Sequence, residues 1–317
     1  MIEKLFFGRE GTFENRVGYV LILGLLMLLA VGLTARPAQA QSNIFVIDSL
    51  GDAHDSNTSD GQCQTSGGAC TLRAAIQQSN ADAPNGPDDI DFGIPGQVNL
   101  TGALPSITNS VNITGTTSRN TVFRGEGTGN YRIFTVTGGS TADIQDLTLS
   151  NGFVSDSTGD INKDCGGAIL VAGGGDTLKL TNSTISGNSA NRGGGIYAGG
   201  GTVSVGGSTF RNNSASGTGG IDGGGAIIDL FAVVSVTNST FVGNSATNGG
   251  GAILNGFGSM NVANATLVGN SAGSPGGGGI LSDSENAFLK TPSSPGTPRR
   301  TAARIWAENP LSARATK

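Results

Sequence analysis

Charge and ring chemistry are both scarce in this sequence. Of 317 residues, 13% are charged and 5% aromatic, with one histidine, His54, and one tryptophan, Trp306. His54 lies ahead of every repeated segment and reads as a loop residue rather than a catalytic base. Lys and Arg are few and scattered and the formal net charge is −5, so nothing electrostatic calls for nucleic acid or an anionic membrane surface as partner. The three cysteines have no metal-site spacing. Helical periodicity is missing from almost all of the chain beyond residue 40, and one of the few abundant things is glycine, 54 residues of it.

The N-terminus carries the one long apolar run. Lys4, Arg9 and Arg16 precede Val17 to Leu33, and Ala38-Gln39-Ala40 supplies a small-x-small cleavage site, so residues 1–40 read as a secretory signal. An uncleaved anchor is the alternative, because roughly 17 to 25 apolar residues span a bilayer. In both cases the remainder is exported, and membrane contact is confined to this segment. Export gives the cysteines meaning: Cys63 and Cys70 bracket a short polar loop and are expected to form a disulfide, which leaves Cys165 as a buried or idle thiol.

The glycines are patterned. TISGNSA, TFRNNSA, TFVGNSA and TLVGNSA, beginning at Thr184, Thr209, Thr240 and Thr266, are each followed by a glycine cluster that ends at Ile196, Ile227, Ile253 or Ile280, and an earlier cluster ends at Ile169. From Ile196, Ile227 or Ile253 it is nine residues to Val205, Val236 or Val262, and five more to Phe210, Phe241 or Leu267. A flexible linker needs no such fixed offsets. Short alternating segments in units of 25 to 31 residues cannot bury an apolar face alone, so they must stack. The expected fold is all-β, a right-handed parallel β-helix whose apolar columns fill the bore, with each coil about 4.8 Å above the last. Asn188, Asn213, Asn244 and Asn270 fall at one offset and are expected to form an amide ladder at a turn.

Residues 89–149 read as less regular coils, and repeats run to residue 282. Before them, residues 41–88 form a cap segment whose helix, near 71–81, has Leu72, Ala75, Ile76 and Ser79 on one face. A solenoid needs its open end covered, and this helix is placed to do it. Residues 283–317 drop the Gly/Asn pattern and read as a disordered tail.

Cys70-Thr71-Leu72-Arg73-Ala74-Ala75, with FVIDSLGD upstream and DDIDF downstream, resembles the N-terminal segment of bacterial exported β-helix proteins named for a Cys-Ser-Leu-Arg-Glu-Ala motif, two positions differing. The GGAI and FxxN repeats are similar to those of chlamydial polymorphic outer-membrane proteins. The second resemblance implies surface exposure and adhesion; the first implies fold and export.

Loop lengths locate the variation. The step from the Phe column to the next Ile is 20 residues from Leu149, 11 from Ile185, 17 from Phe210, 12 from Phe241 and 13 from Leu267, so all insertion falls at one corner. The two long loops carry Asp156, Asp160, Lys163 and Asp164 in the first and Asp222 in the second, making these five the candidate ligand-binding residues. Asp156, Asp160 and Asp164 read first as solvated loop carboxylates, with Ca²⁺, the one cofactor the sequence suggests, as the alternative they could hold. The sequence therefore points to an exported surface or extracellular module, structural, adhesive or carbohydrate-binding, with an extracellular polysaccharide or a cell-surface protein as partner and no catalysis. The alternative is a lyase or hydrolase of acidic polysaccharide, for which these aspartates and Lys163 would sketch the site.

Overall fold

The computed structural model describes residues 42–290, apart from 84–85, 117–119, 126, 128, 156–159, 220–221, 274–275 and 284–286. The expected signal segment and residues 291–317 lie outside them. The chain is a parallel β-helix. Among the described residues its strands form sheets of nine, seven, four and six members, and each strand pairs with its counterpart in the next coil.

Alternation in the sequence becomes in and out in the coil. In the nine-stranded sheet Phe45, Ile90, Ile113, Ile144, Leu180, Val205, Val236 and Val262 stand in register along one inward column. The Ile column does the same in the six-stranded sheet: Ile169, Ile196, Ile227, Ile253 and Ile280 follow Phe134. In the seven-stranded sheet Phe210 and Phe241 stack in the bore with centroids 4.8 Å apart, between Ile185 and Leu267. These columns make one continuous buried core from the cap to the last coils, the arrangement that maximises apolar area removed from water when no single coil can enclose any.

Two polar ladders hold the corners. The Asn188 Nδ2 donates to Asn213 Oδ1 at 3.0 Å, Asn213 to Asn244 at 2.9 Å and Asn244 to Asn270 at 2.9 Å. Each of these amides also donates to a backbone carbonyl, from Leu149, Ile185 and Phe210 in turn. A second ladder, unsuspected from the sequence, runs through serine: the Ser183 N–H donates to Ser208 Oγ and the Ser208 N–H to Ser239 Oγ, each at 3.2 Å. It sits beside Asn182 and Asn238, whose φ values are 48° and 50°. The Asn-Ser-Thr triplets at 182 and 238 are thus corner turns that use asparagine's tolerance of the left-handed region. The glycine clusters answer to close approach, because a Cβ on Gly225 would lie 2.2 Å from Gly251 O in the next coil.

The cap helix, Leu72–Ala81, buries Leu72, Ala75, Ile76 and Ser79 over the first strands of the nine-stranded sheet. Thr71 caps it, accepting from the Ala74 N–H at 3.1 Å and donating its hydroxyl to Ala53 O at 2.6 Å. Arg73 clamps three segments together. It forms a bidentate pair with Asp52 at 2.9 and 2.8 Å and donates to Ala103 O and Gly102 O, while Asp52 accepts from the Thr101 N–H and hydroxyl. Cys63 and Cys70 are joined in a disulfide that closes the loop before this helix.

Two features differ from the sequence reading. A single helical turn, Ile161–Asp164, occurs in the first long loop, closed by the Lys163 and Asp164 N–H groups on Asp160 O. The solenoid also continues beyond residue 282: Ala287–Lys290, inside the expected disordered tail, pairs with Ser259–Ala263 as the last strand of the nine-stranded sheet. That strand lacks any Gly or Asn signal, and only the free edge it completes distinguishes it.

Candidate functional site

The loop-bearing corner is a second, smaller core. In the six-stranded sheet the residue after each inward Ile is also apolar: Leu170, Tyr197, Ile228 and Leu254 are buried and form an outer row, joined by Cys165 and Leu230, with half-buried Leu281 packed against it. From the first long loop Cys165 packs into this row with Asp164 buried beside it, and in the second Asp222 is buried, so these residues pack rather than project.

The expected site residues are distributed accordingly. Asp156 lies outside the described residues. Asp160 and Lys163 form an exposed ion pair at 3.8 Å, a contact worth about 0–1 kcal/mol. Asp164 is buried, with its carboxylate accepting the Cys165 thiol at 2.9 Å and its carbonyl accepting the Asn191 and Arg192 N–H groups. Burial, and then the Asp164 carboxyl beside it, push the Cys165 thiol far above its ordinary range. That thiol stays protonated and is no nucleophile. Asp222, also buried, pairs with the Arg192 guanidinium and accepts the Gly219 N–H at 2.7 Å. One coil further back, Arg132 donates to Cys165 O at 2.9 Å. The corner is therefore laced by polar contacts from coil to coil, in which Asp164 and Asp222 meet through the backbone and side chain of one residue, Arg192. Among the described residues no three acidic, His or Cys side chains gather to hold a metal.

The opposite end of the same strands offers a different surface. Phe231 and Phe257 project from adjacent coils, 68% and 56% exposed, with rings stacked 5.4 Å apart and 16° from parallel. Exposed Val233 follows as the first residue of the next strand, in the nine-stranded sheet. Aromatic rings turned to solvent in a stacked row are an unusual use of a chain with so few of them. Each ring lies four residues past the Ile column, at Ile227 and Ile253, so a fixed offset in the sequence was the available signal.

Two residues before Phe231 lies Asp229, a fully buried carboxyl. Its Oδ1 accepts the Ala232 N–H at 2.9 Å, and its Oδ2 meets the Asn255 amide nitrogen at 3.2 Å in the orientation where the Asn255 oxygen accepts from Ser282 Oγ. Burial pushes this carboxyl up to about 7, only partly offset by the Ala232 N–H. Gly258 packs directly on it, since a Cβ there would fall within 2.0 Å of Asp229 Oδ1. The turn that presents the ladder is thus built around a group that gains or loses its charge near neutrality. Comparison with protein-family models, with curated proteins and with solved structures gives no match for this chain.

Proposed function

We propose that the protein is an exported surface or extracellular β-helix module that binds its ligand without transforming it, in a structural or adhesive role. The observation that carries this reading is the Phe231–Phe257 ladder, a flat apolar strip held at coil spacing on a rigid scaffold. A strip of this kind suits the apolar faces of consecutive sugar rings. The N-terminal apolar run and the resemblance to exported β-helix proteins support the location. The state of the loop corner supports binding over catalysis: Asp164 and Asp222, two of the carboxylates an acid–base mechanism would use, are committed to Cys165 and Arg192.

Retention on immobilised neutral and acidic polysaccharides, run alongside product assays on polygalacturonate, tests the reading. Wild type is expected to be retained and the Phe231→Ser/Phe257→Ser double variant to lose about tenfold in affinity, the equivalent of roughly 1.4 kcal/mol. Unsaturated or reducing-end product that disappears when Asp160, Lys163, Asp164 or Asp222 is replaced would instead establish the lyase or hydrolase.

A further inference from the structure

The N-terminal cap is far more acidic than the molecule that carries it. Residues 42–92 contain eight Asp, one Arg and no Lys or Glu, a net charge of −7 with His54 neutral, against −5 for the whole chain. Its single Arg, Arg73, is consumed by Asp52. Within this segment lie the two buried side-chain oxygens of the described residues that have no hydrogen-bond partner, Asp55 Oδ2 and Gln78 Oε1.

Both belong to one junction, where the loop from Asp55 to Gln62 crosses the C-terminal half of the cap helix. The Asp55 N–H donates to Gln77 Oε1 at 2.9 Å, and Gln78 Nε2 donates to Thr58 O at 3.2 Å and to Asp82 Oδ1 at 2.9 Å. Those two bonds fix the Gln78 amide: turning it over would set its oxygen against two acceptors and waste its donors. The unpartnered Oε1 is therefore a property of the fold, on a residue with no solvent exposure. Buried acceptors in a negative field call for a positive species, and a buried acceptor left alone is costly.

We propose that this junction is a Ca²⁺ site, with Asp55 Oδ2 and Gln78 Oε1 as inner ligands. Loop carbonyls and water complete the shell, and Asp60 and Asp82 contribute charge. No three acidic side chains converge there, so the ligand set is mostly neutral oxygen. Such sets suit a hard cation that accepts carbonyl and amide ligands in flexible geometry, and bind at the weak end of the Ca²⁺ range, with Kd on the order of 0.1–1 mM. Mg²⁺, which demands tighter octahedral geometry, should bind less well. The site would tie the loop from Asp55 to Gln62 to the helix that seals the solenoid, and Ca²⁺ is plentiful in the extracellular location proposed above.

The test uses the full chain with its disulfide intact, titrated with CaCl₂ or MgCl₂ by calorimetry and followed by thermal unfolding against EDTA. We expect about one Ca²⁺ per chain in the range above, a Tm raised by CaCl₂, at least tenfold weaker binding in Asp55→Asn and Gln78→Leu, and unchanged binding in Asp160→Asn. Gln78→Glu separates a ligand from a packing residue. If this position ligates the ion, the Gln78→Glu variant should have a lower Tm in EDTA and show a larger CaCl₂-dependent rise than wild type. Absence of Ca²⁺ binding, loss of binding in Asp160→Asn, or a Gln78→Glu variant whose Tm ignores CaCl₂ would overturn the proposal.

Discussion

At the residue scale, the buried amides and carboxyls of the corners decide more than their number suggests. The Asn213 side chain gives and receives at both polar atoms, its oxygen taking two bonds from Asn188 and its nitrogen giving one each to Asn244 and Ile185 O. Replacing it with Asp keeps its shape and removes its side-chain donors, so Asn244 Oδ1 is left with the Asn213 backbone N–H alone, Ile185 O loses the amide, and both face a carboxylate. The expected loss is about 2–4 kcal/mol in urea unfolding. Asp229 works in the other direction. Its folded carboxyl binds a proton more tightly than an unfolded one, so its charged form weighs on the fold above pH about 7, and that weight fades as the pH falls through 7 and is gone near 4. Asp229→Asn, which keeps the acceptor for Ala232 and extends an amide pairing to Asn255, should be more stable than wild type at pH 8, by on the order of 3 kcal/mol. The gap should close by pH 4. A constant gap across that range would mean that Asp229 is charged and satisfied in the folded state. The Asn ladder was legible in the sequence because four residues shared one offset. Asp229 was visible only as a scattered charge, since its burial depends on Gly258 and Asn255 from the next coil.

At the element scale, the cap is held by a few specific contacts where the coils are held by many repeated ones. Its helix was legible from the spacing of Leu72, Ala75, Ile76 and Ser79, and its clamp was not. Arg73 and Asp52 are 21 residues apart with no pattern linking them, and they meet only because the loop before the disulfide folds back over the helix. Both side chains are buried, so Arg73→Ala would strand a carboxylate together with two carbonyls, and the expected cost is about 3–5 kcal/mol. A double-mutant cycle with Asp52→Ala checks the attribution: most of the loss should be shared between the two single variants. The loop corner teaches the same lesson. Insertion lengths identified it correctly as the variable edge, but the outer row of Leu170, Tyr197, Ile228 and Leu254 that pulls those loops down was hidden in plain dipeptides after each inward Ile. A strand that is buried on both faces reads as a short apolar run, and the inward residue alone accounted for it.

At the scale of the whole molecule, the governing fact is that each coil touches only its neighbours. Register pairs such as Leu178 with Val203 and Val203 with Val234 repeat along the axis, so stability is a sum of coil terms and interface terms and not a property of one shared nucleus. Damage should then stay local in a way that a globular core would not permit. Two variants placed far apart make the comparison. Arg73→Ala loosens the first coils from outside, whereas Gly225→Ala forces a Cβ against Gly251 O and the Ser245 backbone in the middle of the stack. Native-state hydrogen exchange should show Arg73→Ala losing protection in the strands from Asp88 to Arg124 while Thr202–Gly206 and Val233–Thr237 remain protected; Gly225→Ala should reverse that order. Equal loss of protection along the whole axis in both variants would mean that the coils unfold as one unit, and the columns of Ile and Val would then act as a single cooperative core. Local loss would instead show that the end bearing the cap can open while the coils that carry Phe231 and Phe257 keep their spacing, which is the independence the proposed binding role of those rings requires.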